Sequence, residues 1–76
     1  MTKEKKEIIN FIGSSPDNLI ETNLVSKIYG LKSLSLITDI KYFKVKRSEK
    51  GTLVGLTEQG LREFKLIQID KRLANM

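Results

Sequence analysis

The period of the apolar residues changes twice along this chain of 76 residues, and those two changes restrict its folds more than any other feature. Ile8, Ile9, Phe11 and Ile12 follow one helical face. Leu36, Ile37, Ile40 and Phe43 recur at i, i+1, i+4 and i+7, the spacing of one buried helical stripe. From Phe43 onward the pattern alternates: Phe43, Val45, Val54 and Leu56 share one face of a strand pair, while Lys44, Lys46 and Leu53 point the other way. Beyond Thr57 the helical spacing returns. Helices, then one hairpin, then a helix make an α+β chain, and at this length residues 1–76 are expected to form a single domain.

Capping and turn residues divide the helical part. A first helix is expected from Thr2 to Ile12, with Lys3 to Glu7 in its exposed first turns, and Gly13-Ser14-Ser15-Pro16-Asp17 breaks it. Asn18 to Glu21 reads as a short extended stretch. Thr22 is placed to cap a second helix carrying Leu24, Val25, Ile28 and Tyr29, which Gly30 ends, and Ser33 to cap a third that runs to Tyr42. In this scheme Leu24, Val25, Ile28, Leu31, Leu36, Ile40 and Phe43 anchor the second and third helices on the first. Ser48-Glu49-Lys50-Gly51 joins the two strands, with the glycine free to take positive φ. Thr57 caps a last helix over 58–74, in which Leu61, Phe64 and Ile67 dock on the body. Leu66, Ile69 and Leu73 form a second seam at i, i+3 and i+7, on which a homodimer can close.

The side chains present exclude most active-site chemistry. With no cysteine there is no disulfide framework or thiolate metal site, and with no histidine the commonest general base and metal ligand are missing. The carboxylate pairs Glu4 with Glu7 and Glu58 with Glu63 fall where helix dipoles and neighbouring Lys or Arg account for them. We therefore expect no enzyme activity, no cofactor and no small-molecule substrate. Apolar runs such as Leu34 to Ile37 fall far short of the roughly 20 residues that span a bilayer, so no membrane partner and a cytoplasmic location are expected. The net charge of +5 is unevenly spread: residues 32–50 hold six cations against two acids, a net of +4. Such a local excess of positive charge is the footprint of a surface that binds phosphates.

The order helix, short strand, helix, turn, helix, two-stranded hairpin, helix resembles the winged helix-turn-helix family over nearly the whole chain. Leu56-Thr57-Glu58-Gln59-Gly60-Leu61 is similar to the segment that leaves the wing and opens the last helix in many members. Thr22 to Leu31 is similar to the first helix of the helix-turn-helix and its glycine turn, with Ser26 where alanine is usual. In size and composition the chain is closest in character to small regulators encoded by crenarchaeal viruses and plasmids.

The resemblance implies a transcription regulator that occupies double-stranded DNA at a promoter. Its third helix would lie in the major groove, presenting Lys32, Ser33, Ser35, Thr38, Lys41 and Tyr42, and its wing would carry Lys44, Lys46, Arg47 and Lys50 to the adjacent minor groove or backbone. Thr22, Asn23 and Lys27 would contact DNA backbone. Serine, threonine and lysine read bases less sharply than the bidentate Arg, Asn and Gln that this helix lacks, so phosphate contacts and DNA shape are expected to weigh heavily. A winged-helix module for protein interaction, or for RNA, remains the alternative on sequence.

Overall fold

The computed structural model describes residues 2–49 and 51–74, and among these it contains four α-helices and one three-stranded antiparallel sheet. The order is α1 (Lys3–Gly13), β1 (Leu19–Glu21), α2 (Thr22–Tyr29), α3 (Lys32–Leu36), β2 (Phe43–Ser48), β3 (Gly51–Leu56) and α4 (Glu58–Ala74). The α+β class and the sequence of elements agree with the reading above.

Helix α1 starts where expected because the Thr2 hydroxyl accepts from the Lys5 amide at 3.3 Å, satisfying one of the first-turn N–H groups. Its Ile8, Ile9 and Ile12 are fully buried and form the centre of the core with Ile20, Val25, Ile37, Phe43, Val54 and Leu56. Between α1 and β1 the chain turns at Pro16, and Asp17 and Asn18 both adopt positive φ, 58° and 54°, a conformation these two residue types tolerate. The extended stretch then pairs with β3, Ile20 opposite Val54, so that β3 lies central in the order β1-β3-β2.

The hairpin register places Phe43 opposite Leu56, Val45 opposite Val54 and Lys46 opposite Leu53, the face assignment expected from the alternation. The connection is shorter than the expected four residues: Ser48 already pairs with Gly51, and the Ser48 hydroxyl donates to the Gly51 carbonyl at 2.9 Å. Helix α2 ends at Gly30, whose φ of 88° is strained for any residue with a Cβ, and whose amide closes the last turn on the Ser26 carbonyl at 2.8 Å. Thr22 is its first helical residue, not its cap. Glu21 holds the cap position and makes no side-chain cap bond.

The third helix departs most from expectation. It spans five residues, Lys32–Leu36, and Ile37 to Tyr42 is a run of turns. Side chains in that run take the hydrogen bonds that a continuing helix would use. The Thr38 hydroxyl donates to the Ser35 carbonyl at 2.6 Å, and Asp39 Oδ1 accepts from the Lys41 amide at 3.1 Å. Thr57 clamps the end of the run, donating its hydroxyl to the Lys41 carbonyl at 2.6 Å and accepting from the Gly60 amide at 3.1 Å, while its own amide reaches the Tyr42 carbonyl. The β-branched Ile37, Thr38 and Ile40 also add little helix propensity to oppose these bonds.

The inner stripe changes as a consequence. Ile37 is buried, but Ile40 is 88% exposed, and Leu24, Ile28 and Leu31, expected as anchors, are exposed as well. Leu36 is half-buried against the core.

Candidate nucleic-acid interface

Two surfaces carry the cations. The first is the hairpin. Exposure rises abruptly along β2, from a buried Phe43 to exposed residues at every position through Ser48, whereas β3 stays buried from Val54 to Leu56, so β2 forms the open edge and the hairpin leaves the core only beyond the Val45–Val54 pair. Lys44 and Lys46 lie on the face away from the core, and Arg47 lies on the other, opposite Thr52. The absence of a side chain at Gly55 sets the course of Lys44: a Cβ there would meet Leu19 Cδ2 at 2.9 Å and Lys44 Cε at 3.5 Å, so the lysine stem runs across the glycine beside Leu19. Strand β3 holds no charged residue, and among the described residues no ion pair engages Lys44, Lys46 or Arg47. A shallow cleft of about 330 Å³ beneath the two lysines brings Asp17 and Asn18 alongside them. Lys50, read as a wing cation, lies outside the described residues.

The second surface is built on α2, the Gly30 turn and α3. Asn23, Lys27, Lys32, Ser35, Thr38 and Lys41 are exposed there, and Thr22 is half-buried. Ser33, expected on the outside, is 1% exposed, and its hydroxyl donates to the Gly30 carbonyl at 2.6 Å. Ser33 in the five-residue helix and Ile37 just after it share the inward side, and the bond to Gly30 removes the cost of burying the hydroxyl. Tyr42 is half-buried against the core, held between two ammonium groups: Lys5 Nζ lies 5.6 Å and Lys41 Nζ 5.4 Å from its ring centroid. Ser33 is therefore not free to meet a ligand, whereas Tyr42 keeps part of its side chain exposed. Because the helix stops at Leu36, Thr38 and Lys41 stand on the following turns and not on a helical face.

Sequence reasoning missed the group that fixes this segment. Lys5 of α1 donates to Asp39 Oδ2 at 2.8 Å, and Asp39 also receives the Lys41 amide, so its carboxyl titrates below the ordinary aspartate value, chiefly through the Lys5 hydrogen bond and then the backbone one. Lys5 and Asp39 are 34 positions apart, and nothing local in either stretch announces the pairing.

Chemically, a ribbon with ammonium and guanidinium groups on opposite faces can reach phosphates along a groove, while short hydroxyls and lysines beside the α2–α3 turn can meet backbone oxygens or base edges. Lysines also shield an exposed edge strand from pairing with other chains, and β2 is such an edge. Among the described residues, no group of three His, Cys, Asp or Glu is placed to hold a metal ion, and no helix is long and apolar enough to cross a membrane. Comparison with protein-family models, with curated proteins and with solved structures gives no match in any of the three.

Proposed function

We propose that the protein is a winged helix-turn-helix regulator that binds double-stranded DNA and acts by occupying a promoter. The observation that carries this reading is the hairpin: Lys44, Lys46 and Arg47 project from its exposed edge strand β2, without an ion-pair partner among the described residues. Cations that a fold holds free in this way gain little internally, and they release counterions when they neutralise phosphates. The α2–Gly30–α3 pair, anchored in the core by the buried Val25 and by Ile37 just after α3, supports the same reading, with Lys32 and Ser35 on α3 and Thr38 and Lys41 on the turns after it as the groove-facing set. Asn23 and Lys27 are suited to phosphates on the near strand, and Arg47 to the negative potential of a narrow minor groove.

The test is the salt dependence of duplex binding by the full chain. Replacing Lys44, Lys46 and Arg47 together with Ala should weaken binding to every sequence and lower the slope of log K against log salt by about 2 to 3. An unchanged slope would take the hairpin out of the interface. One observation favours a second reading, a protein-interaction module: Leu24, Ile28 and Leu31 form an apolar row 42%, 53% and 79% exposed along α2 and the turn. That reading requires binding to a protein that persists at high salt, together with no measurable affinity for duplex DNA at low salt.

A further inference from the structure

Leu66, Ile69 and Leu73 lie exposed along α4, where no neighbouring charge selects an occupant; the open edge of β2 does carry such a signal. Among the described residues β3 flanks β2 on one side and no strand flanks it on the other. The Thr57 amide donates to the Tyr42 carbonyl at 3.0 Å, which makes Tyr42 and Thr57 a hydrogen-bonded pair at the root of the hairpin. Alternation along the antiparallel register then assigns the ladder bonds with β3 to Lys44, Lys46 and Ser48, opposite Gly55, Leu53 and Gly51. Phe43, Val45 and Arg47 therefore turn their main-chain groups toward the open edge. The Asp39 carbonyl accepts the Phe43 amide at 3.0 Å, but no strand takes the two donors and two acceptors of Val45 and Arg47. Every side chain from Lys44 to Ser48 is exposed, so this edge is open to one more strand.

We propose that this edge accepts an extended acidic peptide as an added strand, with carboxylates at alternate positions beside Lys44 and Lys46 and an apolar side chain beside Val45. Charge selects this occupant over a second copy of the chain. Three antiparallel registers join the open groups of two copies, and each sets like charges opposite one another. Val45 opposite Arg47 puts Lys46 on Lys46, Val45 opposite itself puts Lys44 on Lys46 twice, and Arg47 opposite itself puts guanidinium on guanidinium. Alternate carboxylates reverse that repulsion. Among the described residues Lys44, Lys46 and Arg47 close no ion pair, so no internal bond has to break to receive them. Val45 is 52% exposed on the face opposite Lys44 and Lys46, which gives the added strand an apolar contact as well as charged ones. The pairing stands whether or not the chain binds DNA, although both ligands need Lys44 and Lys46 and exclude each other.

The probe is the capped peptide acetyl-Thr-Glu-Val-Glu-Val-Glu-Thr-amide, added to the full chain while amide hydrogen exchange is followed by NMR. In the free protein Lys44 and Lys46 should exchange slowly and Val45 and Arg47 fast; the peptide should slow Val45 and Arg47 roughly tenfold or more. N-methylating either the peptide's valines or its glutamates keeps its charge and blocks one alternate set of donors, so one methylated peptide should lose roughly tenfold or more in affinity and the other should bind. Val45→Pro removes an outward amide but no bond to β3, so it should keep the far-UV circular dichroism and lose the peptide. The same peptide with lysines for its glutamates should not bind. Equal binding of the two methylated peptides would reduce the contact to charge alone and overturn the pairing, as would binding of the lysine peptide or no slowing at millimolar peptide. Slowing at Val45 and Arg47 that grows with protein concentration before any peptide is added would make the occupant a second copy, which also overturns it.

Discussion

Ile37 and Ile40 are three positions apart in the same turn-rich segment, and the fold gives them opposite fates: 3% exposure for the first, 88% for the second. Substitution by Ala deletes the same three carbons from each. For Ile37 the transfer loss is about 2.4 kcal/mol, at about 0.8 kcal/mol per methylene-sized group. The space left beside the other core side chains raises the cost to roughly 2 to 5 kcal/mol. For Ile40 little burial exists to lose, and the change should stay within about 0.5 kcal/mol. A chain of this length has roughly 4 to 11 kcal/mol of stability in all. Ile37→Ala should therefore remove a large part of it and lower the thermal midpoint by about 10 to 25 °C. Urea titration followed by far-UV circular dichroism measures both variants, with unchanged m values as the condition for comparing them. If Ile40→Ala costs as much as Ile37→Ala, the third helix continues through Ile40 and the turn assignment is wrong. That result would also move Thr38 and Lys41 back onto a helical face.

Two further outcomes are expected. Asp39 titrates below its ordinary value in the folded state, so its contribution to stability is complete above the unfolded-state value and fades as pH falls from about 4 toward the lowered folded value. Asp39→Asn should flatten that part of the acid-unfolding profile, and an identical profile from pH 5 downward would show that the Lys5 contact does not persist in solution. On the proposed DNA-binding function, Ser35→Ala or Thr38→Ala should cost roughly 1 to 3 kcal/mol on a preferred duplex selected from random sequences, and little on random DNA. Equal losses on both would assign these hydroxyls to phosphates.

Local interactions made most of the elements legible in the sequence. The Gly30 stop and the Thr57 start act within a turn of the residues they serve, and the change of period at Phe43 reflects which side chains a strand can bury. The cationic hairpin was legible for the same reason: alternation assigned Lys44 and Lys46 to one face before any partner strand was known. The docking side of α4 was read correctly from Leu61, Phe64 and Ile67, because a helix of 17 residues repeats its pattern often enough to fix its own rotation.

Tertiary contacts decided where α3 ends and which way its residues face. Five residues make barely more than one turn, and the few hydrogen bonds available there are matched by those that Thr38 and Asp39 offer to the backbone in turns. With local preferences nearly balanced, the Lys5–Asp39 pair across 34 positions and the Thr57 clamp across 16 set the outcome, placing Ser33 inside and Ile40 in solvent. A single sequence carries the residues of such contacts but not their proximity, since only the folded chain brings α1 and the start of α4 against the same turn.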